Sequence, residues 1–145
     1  MLVAVALLSF ALACGGPEEP PAELPPPPPD EQCPEVSGRY AADFTLRHVT
    51  GTCDGAREHS TDPLEFDGEG HFVSPIGGVV TCETVQSGCR LLVRCRSAAL
   101  GSRAQMEAVI DEAGDGFTGE SIVSGSYQGC TEVAYAVRAR RAPRE

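Results

Sequence analysis

The chain has no lysine, no asparagine and no tryptophan. Without lysine there is no Schiff-base nucleophile and no phosphate-loop lysine, and without asparagine there is no N-glycosylation acceptor. Aromatic residues make up 6% of the 145 residues, which leaves few large side chains for a core. No apolar run reaches the ~20 residues of a membrane-spanning helix; the longest, Leu2 to Ala13, has 12. Also missing are a Gly-x-Ser-x-Gly elbow and a Cys-x-x-Cys pair, which removes the simplest signs of a serine hydrolase and of a zinc site.

What the chain does have is cysteine, proline, glycine and acid. Seven cysteines, 12 prolines and 16 glycines accompany a net charge of −10. The apolar run has the length of the hydrophobic segment of an export signal. It ends in Ser9-Phe10-Ala11-Leu12-Ala13-Cys14 and is followed by Gly15. This segment resembles the lipobox of bacterial lipoproteins, in which the residues before the cysteine are removed and a diacylglycerol is attached to its sulfur. The resemblance implies a signal peptide over 1–13, lipidation of Cys14 and a cell-envelope location. Gly15, where an inner-membrane-retaining aspartate would stand, favours the outer membrane. The alternative is an ordinary secretory signal cut after Ala-Leu-Ala. Cysteine arithmetic favours the lipobox: setting Cys14 aside leaves Cys33, Cys53, Cys82, Cys89, Cys95 and Cys130, an even set suited to three disulfides in an exported domain.

Residues 14–32 read as a lipidated, proline-rich acidic tether. Pro17, Pro20, Pro21 and Pro25 to Pro29 favour polyproline II, and Glu18, Glu19, Glu23, Asp30 and Glu31 face no base within the segment. Fully extended, it would reach up to about 55 Å from the lipid.

The β-domain is expected over 33–141, with a short basic tail over 142–145. Four stretches alternate with period two: Tyr40 to Arg47, Leu91 to Arg96, Arg103 to Asp111 and Glu132 to Arg138. Such alternation marks half-buried antiparallel strands. Turns are expected at Asp67-Gly68, at Ala113 to Gly116 and over Thr81 to Gly88. The stretch Ser97 to Asp111 also tolerates one short helix. The expected fold is all-β: a small disulfide-stapled antiparallel meander of seven or eight strands, closed as a barrel or folded as a sandwich.

Gly38-Arg39-Tyr40 on the first strand and Arg138 on the last resemble the pattern of calycin, or lipocalin-like, barrels, in which Gly-x-Trp opens strand one and a late arginine packs against the ring. Here Tyr40 stands in place of tryptophan, and Arg138 falls on the face opposite Val133, Tyr135 and Val137. The resemblance implies a barrel.

Among the cysteines, Cys82 and Cys89 flank the expected 83–88 turn and are the favoured pair. The other four allow three pairings, of which Cys33–Cys130 would tie the domain ends together. Of the polar groups, the arginines stand out. Arg90, Arg94, Arg96 and Arg103 are expected on the outer face of one hairpin, a basic face suited to lipid headgroups, acidic polysaccharide or a protein partner. Residues 36–145 carry 15 acidic and 11 basic side chains, a net charge of about −4. His48, His59 and His71 lack metal-ligand spacing, and Asp111, Glu112 and Asp115 lack that of a calcium loop. No catalytic residue, metal or cofactor is assigned, and no stacking aromatics accompany the arginines to suggest nucleic acid. The sequence is therefore read as a monomeric, non-enzymatic lipoprotein displaying a binding or structural barrel. The alternatives are a protease-inhibitor-like or protein-interaction module acting through His48 to Pro63, and a small hydrolase using the histidines of that region.

Overall fold

The computed structural model describes residues 19–29, 31–53, 55–125 and 130–143. Cys14, the signal segment 1–13, the end of the basic tail and the side chain of Cys130 lie outside the described residues. Seven strands follow one another: β1 (Gly38–Gly51), β2 (His59–Phe66), β3 (Thr81–Ser87), β4 (Arg90–Ser97), β5 (Ser102–Ile110), β6 (Gly116–Gly125) and β7 (Cys130–Arg141). They form one antiparallel sheet in the order β2-β1-β7-β6-β5-β4-β3. The sheet curls into a half-barrel, and no described residue is helical.

β3 to β7 form a simple meander, and β7 then pairs with β1 from Tyr40↔Arg141 to Gly51↔Cys130. Every neighbouring pair is antiparallel and the number of strands is odd, so the two edge strands, β2 and β3, run parallel. Their connection, residues 67–80, must therefore travel back along the gap between them. It does so at Phe72, whose N–H donates to Thr84 Oγ1 of β3 at 2.8 Å, and at Val73, whose N–H donates to the Glu65 carbonyl of β2 at 2.8 Å. The Glu65 carbonyl thus faces the gap, and by alternation so does the nitrogen of Pro63. A proline here removes a donor from the free edge of β2, a common protection against strand-to-strand aggregation.

The concave face holds the core. Tyr40 and Ala42 of β1, Leu91 and Val93 of β4, Met106, Ala108 and Ile110 of β5, and Phe117 of β6 are buried together. The period-two alternation read in these stretches is what aims them inward. The rings of Tyr40, Phe66 and Phe117 meet with centroids 5.3 to 6.2 Å apart, and Phe72 stands 5.6 Å from Phe66. Edge-to-face arrangements such as Tyr40–Phe66 add to the area buried. Small residues oppose one another further along: Ala42 faces Ala139, and Ala108 faces Gly119. A Cβ at Gly119 would stand 2.6 Å from the Ala108 Cα, so close strand approach requires glycine there.

The two ends of the barrel differ in chemistry. At one end lie the connections 67–71, 88–89 and 111–115, carrying Asp67, Glu69, Asp111, Glu112 and Asp115; this is the acidic end. At the other lie the 98–101 turn and the residues leading into β3, where Leu100, Ile76 and Val79 are 40%, 51% and 42% exposed; this is the apolar end.

Cys33 bonds Cys89, and Cys82 bonds Cys95. Cys53 is also disulfide-bonded. The expected Cys82–Cys89 pair is corrected: 82–88 is not a turn but the body of β3, an extended strand that places the two cysteines at opposite ends of it, roughly 20 Å apart. Cys82 instead sits directly across from Cys95. The Cys33–Cys130 pair fails for a similar reason. Cys33 is fixed beside the 88–89 turn at the acidic end, while Cys130 pairs with Gly51 at the apolar end. The Ser97–Asp111 stretch, which also tolerated a helix, forms the 98–101 turn and β5, because cross-strand partners on both sides override its alanine content.

Candidate functional site

β4 and β5 place four arginines on the convex face, as their alternation predicts. Two rows run across this face. In the first, Thr81, Arg96, Arg103 and Ser124 lie side by side on β3 to β6; in the second, Glu83, Arg94, Gln105 and Ile122 do so. Together with Glu19 and Pro20 these residues line a groove of ≈ 360 Å³ close to the apolar end. Arg90 does not belong to it. It sits four residues back along β4, opposite Ser87 and Val109.

The groove has a wall that sequence reading did not anticipate. The proline-rich segment runs down the convex face from the apolar end to the acidic end. Arg103 stands 4.0 Å from the Glu19 carboxylate, and Arg94 Nη1 donates to the Pro20 carbonyl at 3.2 Å. The Ala22 N–H donates to Glu83 Oε1 at 3.1 Å, and Ser87 Oγ donates to the Pro25 carbonyl at 2.8 Å. Lower down, the Cys89 N–H donates to Glu31 Oε1 at 3.3 Å, and the disulfide to Cys33 ends the run. Polyproline II rises ~3.1 Å per residue, close to the ~3.3 Å of a strand, so the segment can keep step with β3. Gly88 makes room for it: a Cβ there would stand 2.7 Å from Pro27 Cβ. Ala22 is buried, and so is Leu92, although Leu92 points away from the concave core. Over its described part, then, the segment read as a spacer is a strap on the domain. Beyond Cys33 it enters the barrel, where Val36 is 1% exposed in the core.

The groove sets three arginines against Glu19 and Glu83, an excess of one positive charge. Arg96 and Arg103 are direct cross-strand partners, and like charges so placed repel. The Arg94 Nε is buried without a hydrogen-bond partner, which costs free energy. A planar guanidinium pair with a third beside it suits the bidentate recognition of phosphate or carboxylate.

The other sequence candidates fall elsewhere. His48 Nε2 is 3.0 Å from Thr50 Oγ1, His59 Nδ1 is 3.4 Å from Thr45 Oγ1, and His71 Nδ1 is 3.3 Å from Asp67 Oδ2. His71 thus belongs to the turn after β2, remote from the other two. Asp111 caps the β5–β6 turn through Oδ1, which accepts from the Asp115 N–H at 2.8 Å. Among the described residues, no group of three or more histidine, cysteine, aspartate or glutamate side chains is placed to hold a metal ion. None of the described helices is long and apolar enough to cross a membrane, since none is present.

A second groove of ≈ 300 Å³ lies at the acidic end of the convex face, lined by Val109, Thr118, Arg138 and Arg140 among others. Arg138 is exposed there and does not meet Tyr40. The arginine over Tyr40 is Arg141, 5.1 Å from the ring centroid. Alternation alone carries this correction, since Val137, Ala139 and Arg141 share the inward face of β7 with Val133 and Tyr135. The chain matches no protein-family model, no curated protein and no solved structure.

Proposed function

We propose that this chain is an exported, lipid-anchored binding protein that holds an anionic ligand in the Arg94–Arg96–Arg103 groove. The observation that carries the binding reading is the direct apposition of Arg96 and Arg103 beside the unsatisfied Arg94 Nε. Three arginines face only Glu19 and Glu83 across this groove, and a bound phosphate or carboxylate would offset the repulsion between Arg96 and Arg103. Export and anchoring are supported by the bonded state of Cys33, Cys53, Cys82, Cys89 and Cys95, which an oxidising compartment maintains, and by the position of Cys14 at the end of the apolar run. The resemblance to lipocalin-like barrels rests on the Gly38-Arg39-Tyr40 opening, with Arg141 rather than Arg138 over the tyrosine ring. No step in this reading requires catalysis.

Two probes separate the ligand classes: inorganic pyrophosphate for phosphate, and a uronic-acid oligosaccharide for carboxylate. Calorimetric titration should detect binding of at least one, weakening with salt as charge pairing requires. An Arg96→Glu, Arg103→Glu double variant should lose it. Wild-type protein that binds neither probe, or a double variant that binds as well as wild type, removes the groove as the site. Anchoring is read separately: fatty-acid labelling in cells should mark the wild-type protein and not a Cys14→Ser variant.

A further inference from the structure

The strap limits how far an anchored domain can stand from its lipid. Glu19 is held at the Arg103 end of the groove, and Cys14 is five residues before it in the chain. Five residues span at most about 18 Å even when fully extended. The acidic end lies further off, since β3 alone carries the wall ~20 Å beyond Thr81. A lipid on Cys14 would therefore keep the Arg103 end of the groove, beside the apolar end, within about 18 Å of the bilayer.

The chemistry of the two ends points the same way. At the apolar end, Ile76, Val79 and Leu100 are 51%, 42% and 40% exposed. Ile76 and Val79 sit in one turn, closed by the Val79 and Val80 N–H groups on the Ile76 carbonyl, and this turn leads directly into Thr81 of β3. Leu100 tips the β4–β5 turn just beyond Ser97. Arg96 and Arg103 pair directly behind these apolar tips. At the opposite end Asp67, Glu69, Asp111, Glu112 and Asp115 are interspersed with Arg39, Arg138, Arg140 and Arg141.

We infer that the apolar end is a membrane-seating surface: Ile76, Val79 and Leu100 insert shallowly into the bilayer interface while Arg96 and Arg103 lie among its phosphates. The inference rests on the lipid anchor at Cys14. Chain length supplies the proximity, and exposed apolar tips backed by the Arg96–Arg103 pair match the layering of a phospholipid surface. Three small apolar tips do not hold a protein on a membrane by themselves, but one anchoring lipid makes their contact intramolecular. The strap then acts as an orienting device rather than as a spacer.

The absence of tryptophan allows single reporters. Acylated protein carrying Leu100→Trp, Ile76→Trp or, at the acidic end, Val109→Trp would be placed in phosphatidylethanolamine–phosphatidylglycerol vesicles with brominated acyl chains. Flotation reports the anchor and bromine quenching reports the contact. The seating surface requires about twofold or greater quenching at positions 100 and 76, and almost none at 109, as expected for side chains buried ~5–10 Å into the interface. Protein that floats with the vesicles while all three reporters stay equally unquenched overturns the seating surface and leaves the anchor standing. Protein that neither labels with fatty acid nor floats removes both. A Cys14→Ser variant that forms a dimer dispersed by Leu100→Glu would assign the same surface to a second copy and overturn the inference.

Discussion

Arg141, in the last strand, lies over the ring of Tyr40, in the first, at 5.1 Å and donates from Nη2 to its hydroxyl at 3.0 Å. The same guanidinium donates to the carbonyls of Ser37 at 2.8 Å and Gly114 at 3.1 Å, and the Tyr40 hydroxyl donates to Gly114 at 3.2 Å. Chain entry, first strand, last strand and the β5–β6 turn are thus joined at one point. Replacing Arg141 with alanine strands the partly buried Ser37 carbonyl, leaves Gly114 with only the Tyr40 hydroxyl and removes a cation–π contact, so it should cost about 2–3 kcal/mol in denaturant unfolding. Tyr40→Phe should cost about 1 kcal/mol. Arg138→Ala, on the exposed face, should stay within ~0.5 kcal/mol. Equal losses at 138 and 141 would contradict this assignment of roles.

The two described disulfides stabilise to different degrees. By the chain-entropy estimate, the Cys33–Cys89 link, with a separation of 56 residues, contributes about 4 kcal/mol. The Cys82–Cys95 link, separated by 13, contributes about 3 kcal/mol. Non-reducing peptide mapping should recover both linkages. Replacing Cys33 and Cys89 with serine should also free the lower end of the strap, so limited proteolysis should cut residues 19–31 sooner than in the Cys82→Ser, Cys95→Ser protein. Equal cutting rates would mean that the strap is held without its disulfide.

Arg96 beside Arg103 makes the empty protein salt-sensitive. Screening relieves like-charge repulsion, so the wild-type unfolding midpoint should rise with sodium chloride. Arg96→Gln should stabilise the protein in low salt by a few tenths of a kcal/mol and flatten that rise. It should also weaken binding of whichever anionic probe the groove accepts. A variant that loses stability at low salt would show that the pair is not repulsive.

Asp67 should titrate below the usual aspartate range. Its carboxylate accepts from the His71 N–H, the largest cause of the lowering, and from the Glu69 N–H, with a further contribution from the His71 ring; slight burial opposes them. A carboxyl with a lowered folded-state pKa contributes stability above its unfolded value of ~3.9, and that contribution is lost as pH falls through the lower folded value. Carbon-detected NMR titration should therefore place the Asp67 midpoint under ~3.9. A midpoint at or above it would mean that the turn is not held by this side chain. Asp67→Asn keeps an acceptor oxygen and should preserve the turn while abolishing its acid sensitivity.

The strands were legible because each half-buried stretch alternates: Tyr40, Ala42 and Phe44, or Met106, Ala108 and Ile110, mark the inward face directly. Arg94, Arg96 and Arg103 were legible as a convex patch by the same rule. β3 was not, since Thr81 to Ser87 is polar on both faces and its inward Thr84 and Gln86 bond the Phe72 and Val36 backbone rather than filling core. That misreading carried the wrong cysteine pair with it. The strap was illegible for another reason. Its prolines set a local conformation, but what the segment lies against depends on carbonyls at Pro20 and Pro25 meeting side chains more than 60 residues away.

Pairing the first strand with the last has a consequence in time. Ser37 and Arg141 are 104 residues apart, so β1 reaches its final position only when nearly the whole chain is available. A chain synthesised from its N-terminus presents β1 first and β7 last. Throughout that interval one edge of β1 lacks its partner, and such long-range pairing is intrinsically slow. The β3–β6 meander can assemble while it waits, and the pairing of β1 with β7 that completes the sheet comes last.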